Sequence, residues 1–167
     1  GTLRGTSNAT LWFGRTNPPN AASNSCLRVS NGFVDLWYGN GGTINMRAAG
    51  RMRLEGTNTV VKTPIFRCAE ESVIEFIPPA DAAVVEDPYV TCRGAVTFDE
   101  TVTLRVLDEQ PCARKGGGTY TLLRNTSTDI TGTIQNIEAS DDVTVTQTAR
   151  EIVVTIANRA NTLVLFR

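Results

Sequence analysis

The 167-residue sequence has no histidine. Its absence removes the commonest general base and metal ligand, and with them every serine or cysteine triad built on imidazole. Lysine is confined to Lys62 and Lys115, which leaves little scope for a lysine nucleophile or Schiff base. There is no surplus of positive charge, since 16 basic residues face 17 acidic ones, and a nucleic-acid footprint needs a clustered excess. The apolar runs reach only strand length, so no segment is suited to cross a membrane as a helix. Cys26, Cys68, Cys92 and Cys112 include no CxxC pair, which argues against a zinc knuckle. Their even number admits two disulfides in an oxidising compartment, and equally four small buried apolar side chains. These gaps disfavour an enzyme: neither catalytic residues, nor a metal, nor a cofactor is expected. The length suits one domain. No signal peptide is visible at Gly1, so the chain is expected to be a mature protein or a piece of a longer one.

What is present is a nearly uninterrupted strand pattern. In "GAVTFDETVTLRVLDEQP" the residues Val96, Phe98, Val102, Leu104 and Val106 share one parity, and Thr97, Thr101, Thr103 and Arg105 take the other. Such alternation puts apolar side chains on one face of a strand. The pattern returns through Ile44, Met46, Met52 and Leu54, through Ile74 and Phe76, and through Val143, Val145, Ile152, Val154 and Ile156. No stretch of a dozen residues keeps a helical period, so the chain reads as all-β. Between these runs lie "SNG", "GNGG", "AAG", "EGTN" and "IPPADAA", the Gly, Asn, Asp and Pro clusters that turn corners.

The run "KGGGTYTLLR", Lys115 to Arg124, fails as a phosphate loop. A Walker loop places its lysine after the glycines and opens a helix, whereas here the lysine comes first and a strand follows. It reads as a corner feeding a strand whose Tyr120 and Leu122 face the core. The adjacent acids Glu70–Glu71, Asp99–Glu100, Asp108–Glu109 and Asp141–Asp142 point to opposite faces if they lie on strands, so they read as solvated turn residues. Trp12, Trp37 and Tyr38 are the candidates for a glycan- or partner-binding surface, with core or inter-coil stacking as the plainer reading. Arg47, Arg51, Arg53, Arg67 and Arg93 either stack in ladders with acids or reflect composition alone. The triplets beginning at Asn8 and Asn125 match the glycosylation sequon, which arises easily by chance in a Thr/Asn-rich chain.

Strands recur every eight to twelve residues or so, a spacing shared by sandwiches, barrels and solenoids. Segments separated by roughly twenty to twenty-four residues resemble one another, as a solenoid requires. "FRCAEESVIEF" overlays "VTCRGAVTFDE" with Cys68 on Cys92 and Ile74 on Phe98. A parallel solenoid stacks like on like at about 4.8 Å, which would bring cysteines one coil apart within disulfide range. A β-sandwich or jelly roll is the alternative.

From about Ser25 onward, "SNGFVDLWYGNGGTINM", "GRMRLEGTNTVV", "GAVTFDETVTLRV" and above all "GGTYTLLRNTSTDITGTIQNIEASDDVTVTQTAREIVVTIAN" resemble the passenger β-helices of bacterial autotransporters. The resemblance implies a right-handed parallel β-helix with a terminal unit from about residue 116, preceded by a strand and loop segment over residues 1–24. It also implies a secreted or cell-surface location and a stalk, adhesin or scaffold role. The expected partners are a glycan or host surface and, through uncapped solenoid ends at Gly1–Arg4 and Asn161–Arg167, a second copy stacked head to tail. The four cysteines depart from the family's habit, and so does the lack of a translocator barrel after Arg167. The competing function is a polysaccharide-binding or polysaccharide-degrading β-helix.

Overall fold

The computed structural model describes residues 1–5, 9–14, 25–37, 41–80, 84–85, 87–107 and 117–157. These residues form eighteen strands and no helix. In chain order they are β1 (Thr2–Arg4), β2 (Thr10–Phe13), β3 (Cys26–Ser30), β4 (Phe33–Asp35), β5 (Thr43–Met46) and β6 (Arg51–Glu55). Next come β7 (Val60–Thr63), β8 (Ile65–Cys68), β9 (Val73–Ile77), the short β10 (Val84–Val85), β11 (Val90–Cys92), β12 (Val96–Phe98) and β13 (Thr103–Val106). The last are β14 (Gly118–Asn125), β15 (Ile130–Thr131), β16 (Asn136–Glu138), β17 (Val143–Gln147) and β18 (Glu151–Ile156).

Up to β16 the strands are dealt in rotation to three sheets, with the short β10 an extra strand that pairs with β14 in sheet A. Sheet A runs β1-β4-β7-β11-β14-β18-β17, sheet B runs β2-β5-β8-β12-β15, and sheet C runs β3-β6-β9-β13-β16. Sheets B and C are parallel throughout, and sheet A is parallel up to β14. Each coil therefore contributes one strand to each face, the arrangement of a solenoid rather than of an antiparallel sandwich. The first coil starts earlier than the sequence places it, because β1 and β2 already pair with β4 and β5.

The core consists of apolar columns. Leu11, Ile44, Phe66, Val96 and Ile130 stack in register in sheet B, and Phe13, Met46, Cys68 and Phe98 form the column beside them. In sheet C the columns are Leu27, Met52, Ile74, Leu104 and Ile137, then Val29, Leu54, Phe76 and Val106. The middle members of these columns are sealed from solvent, while Leu3 and Ile137, on the first and last coils, stay exposed. Tyr120 and Leu122 are buried, as the alternation implies. A bulge between Thr121 and Leu123 then reverses the parity of β14, so Leu123 and Asn125 are buried too.

The register differs from the sequence overlay. Cys68 stacks on Phe98, not on Cys92, and Ile74 stacks on Leu104, not on Phe98. Cys92 lies in sheet A between Thr63 and Asn125. The step is 22 residues from Met46 to Cys68, 30 from Glu75 to Arg105 and 33 from Arg105 to Glu138, so no single offset aligns the coils. From β5 onward, the part that holds its length is the turn from sheet B to sheet C. There Arg47, Ala69 and Asp99 each donate their N–H to the last inward residue of the coil before, Phe13, Met46 and Cys68. This turn also divides "GAVTFDETVTLRV" into β12 and β13 without changing its parity, so two strands read as one.

At the turn from sheet C to sheet A, Asn31 and Gly56 both adopt positive φ, 44° and 86°. Gly56 is needed there twice over, because a Cβ would meet the side chain of Asn31 as well as resist the left-handed backbone. At the far end β18 pairs antiparallel with β14, and β17 with β18. This hairpin covers an edge that sheet A would otherwise leave open.

Candidate functional site

The outward residues of each sheet also stack in columns, and the three columns differ in charge. In sheet C, Arg28, Arg53, Glu75, Arg105 and Glu138 are in register. Arg105 bridges its two neighbours, to Glu138 at 2.5 Å and to Glu75 at 3.2 Å. Glu55 accepts from Arg28 at 2.6 Å and from Arg53 at 3.0 Å. In sheet A the column is Arg4, Asp35, Lys62, Thr91, Arg124 and Glu151, closed by an Arg124–Glu151 ion pair at 2.5 Å. Both columns set carboxylates among their cations, two carboxylates to three cations in each.

Sheet B does not. Its outward column is Trp12, Asn45, Arg67, Thr97 and Thr131. The strands β2, β5, β8, β12 and β15 contain no carboxylate. Trp12 is 54% exposed, because an outward position on a parallel sheet gives a large ring nothing to pack against except its lateral neighbours. Arg47, just beyond the end of β5, lies over that ring at 3.8 Å from its centroid, a cation–π contact. Arg67 is exposed, and neither Arg47 nor Arg67 makes an ion pair among the described residues.

The remaining candidates are dispersed. Trp37 follows β4 in the second coil and is half-buried. Its N–H donates to Asp35 at 2.9 Å, its carbonyl accepts from Arg93 at 2.7 Å, and Arg93 stacks on its ring at 4.8 Å. This is a clamped corner, and Trp37 shares no strand or column with Trp12. Tyr38 and Cys112 lie outside the described residues, as do Lys115, Gly116, Asp108, Glu109 and residues 158–167.

Cys26, Cys68 and Cys92 are free thiols. Cys26 is exposed at the start of β3, while Cys68 and Cys92 point into the core. Burial pushes both core thiols up, Cys92 to about 12, which keeps them protonated and poor as nucleophiles or metal ligands. Among the described residues no group of three or more Cys, Asp and Glu side chains is placed to hold a metal ion. Asn125, in one of the two sequons, is buried and its amide donates to the carbonyl of Gly94 at 2.8 Å. That side chain is committed to the interior.

The acids behave as structural groups. Glu70–Glu71 and Asp99–Glu100 occupy the same sheet B to sheet C turn on successive coils. Asp99 caps its own turn by accepting from the Thr101 N–H at 3.0 Å and hydroxyl at 2.8 Å. Those bonds hold its carboxyl low. For Glu55 partial burial pushes the pKa up, but hydrogen bonds from Ser30, Arg28 and Arg53 outweigh it and bring it from 4.5 to about 2. A carboxylate held low in the folded state stabilises it above the ordinary carboxylate range, and that contribution is lost as pH falls through the folded value. The urea midpoint should therefore drop as pH is lowered from 4.5 to 2. Glu55→Gln should flatten that part of the profile, and an unchanged slope in the variant would show that Glu55 is not responsible.

No family model, no curated protein and no solved structure matches the chain.

Proposed function

We propose that the chain is a non-catalytic module of a right-handed parallel β-helix, secreted by or displayed on a bacterial cell, whose coils form a stiff scaffold and whose faces make adhesive contacts. The observation that carries this reading is the contrast between faces. Sheets A and C set carboxylates among their outward cations, whereas the strands of sheet B carry none and present an exposed indole and Arg67, with Arg47 stacked on the indole. The likeness of the strand and turn motifs to autotransporter passengers supplies the handedness and the location.

The competing degradative function asks one carboxylic acid to protonate a leaving group, which requires a raised pKa. Among the described residues, the carboxyls Glu55, Asp99 and Glu138 are held low, the wrong direction for that role.

Self-association through the solenoid ends belongs to the same proposal, with one change from the sequence expectation. At the far end the β17–β18 hairpin occupies the outer edge of β14, while β15 and β16 each pair on one side only. At the first coil β1, β2 and β3 all pair on one side only, so that end offers a second copy three open edges. Beside it Leu3, Leu27, Val29, Phe33 and Val34 line a pocket. A protein that stays monomeric in light scattering across a wide concentration series would overturn this part.

The adhesive role is tested by coating beads with the protein and measuring their retention on cell layers against albumin-coated beads. Retention that soluble protein competes away is expected. No retention above the control would overturn the adhesive reading, and release of new reducing ends from any polysaccharide would overturn the non-catalytic one.

A further inference from the structure

Resting on that adhesive reading, we propose that the sheet B face of the first three coils binds an acidic polysaccharide, with Trp12 as the stacking platform and Arg67 as the anion contact. Trp12, Asn45 and Arg67 stand in one outward column on consecutive coils. At the inter-strand spacing this column is about 10 Å long from Trp12 to Arg67, the reach of two linked sugar rings lying along the solenoid axis.

Each position has the chemistry for such a chain. Arg47 covers one face of the Trp12 indole at 3.8 Å and the residue is still 54% exposed, so the opposite face is open to the C–H face of a sugar ring. The Asn45 amide both donates and accepts, which suits hydroxyl groups. Arg67 is exposed, and its planar fork matches a carboxylate or sulfate in two-point contact.

The charge pattern selects the sign of the ligand and its place. The strands of sheet B carry no acid, whereas the outward columns of the flanking sheets set carboxylates beside their cations. The acids that border sheet B on its sheet C side are Glu70 and Glu71, in the turn after Arg67, and Asp99 and Glu100 on the next coil. An anionic chain therefore lies along Trp12, Asn45 and Arg67, away from that turn. A nucleic acid fits less well, because two arginines and a net charge of −1 offer little of the multiple phosphate neutralisation on which its binding depends.

The test titrates the whole chain by tryptophan fluorescence and by an immobilised-ligand binding assay. The probes are polygalacturonate as the acidic polymer, dextran as the neutral one and a single-stranded oligothymidylate as the phosphate polymer. Polygalacturonate should bind and weaken as salt rises, while dextran and the oligonucleotide bind far less. Trp12→Ala should weaken the affinity about ten-fold, the scale of losing an aromatic anchor, and Trp12→Phe should retain most of it. Arg67→Gln should weaken binding to the acidic polymer, and Arg105→Gln, on sheet C, should not. Trp12 and Arg67 are exposed, so circular dichroism should report unchanged folding in these variants. The proposal is overturned if polygalacturonate fails to bind, if dextran or the oligonucleotide binds as well, or if Trp12→Ala and Arg67→Gln have no effect. Bead retention that persists in Trp12→Ala would leave the adhesive reading standing while removing this one.

Discussion

Replacing Phe76 by alanine is expected to cost about 3–5 kcal/mol of folding free energy, the range for deleting a sealed aromatic ring. Phe76 is fully buried in the column Leu54, Phe76 and Val106 of sheet C. It reaches across the interior to Tyr89 and Tyr120 on the sheet A side, in edge-to-face contacts with centroids 4.8 and 5.7 Å away. Such pairs add about 0.5–1.5 kcal/mol beyond simple burial. The ring thus ties two faces and three coils together, and its loss leaves a void that flanking strands cannot close without breaking their ladders. Single domains are stable by only about 5–15 kcal/mol, so the variant should show a large drop in urea midpoint with an unchanged slope. Phe33→Ala is the comparison, because Phe33 is half-buried under Lys62 on the outside of sheet A and should cost far less. A loss below about 1 kcal/mol at Phe76 would mean that the aromatic cluster is not a sealed core.

Val154→Asp is expected to have the second largest effect and a different character. Val154 is fully buried in β18 and pairs with Tyr120 on one side and Val145 on the other. An unpaired carboxylate at that position costs several kcal/mol or forces the strand out into water. Leaving is the cheaper route, because the hairpin adds only two strands to one sheet. Stacked coils depend chiefly on their neighbours, so the damage should remain local. Hydrogen exchange should show lost protection over β14, β17 and β18, with β5, β6, β8 and β9 still protected. Light scattering should rise with concentration as the bared edge of β14 recruits other chains. Val153→Asp, on the outward side of the same strand and only half-buried, should leave both readouts near wild type. Uniform loss of protection throughout the chain would show instead that the solenoid unfolds as one unit.

The inward side chains were legible because alternation is a property of single strands. Ile44, Met46, Met52, Leu54, Ile74, Phe76, Leu104, Ile152 and Val154 were all assigned inward by parity alone, and all are buried. The corners at Ser30–Gly32 and Glu55–Asn58 were legible because Asn31 and Gly56 accept their left-handed backbone, whereas at Ala48–Gly50 that conformation falls on Ala49. Two errors share a cause. The overlay of Cys68 on Cys92 matched like letters at a fixed spacing, but the loops between coils differ in length, and identical residues drifted to different faces. The smooth parity from Val96 to Val106 hid the turn at Asp99–Val102, because that turn uses an even number of residues.

The candidate site was only half legible. Trp12 stood out as a rare, large aromatic, yet nothing local separates it from Trp37, which the structure clamps with Arg93. Arg67 stood out only as one of five arginines read as ladder members or composition, and Asn45 carried no mark at all. Aligning "TLWF", "TINM" and "IFRC" would have placed Trp12, Asn45 and Arg67 together, but the offsets that align them become visible only once the coils are stacked.

The sequence by itself determined an all-β chain, the inward residue of each strand and the turns that let it change direction. These follow from the two-residue period of a strand and from the backbone preferences of glycine and asparagine. Only the tertiary structure decided which strands are neighbours, that the chain winds through three faces, and that a terminal hairpin closes one edge. It also decided that two faces set carboxylates among their cations while the strands of the third carry none. The reason is physical: parallel pairing joins segments some 22 to 33 residues apart, and loop length sets that partnership without leaving a trace in the alternation of any one strand.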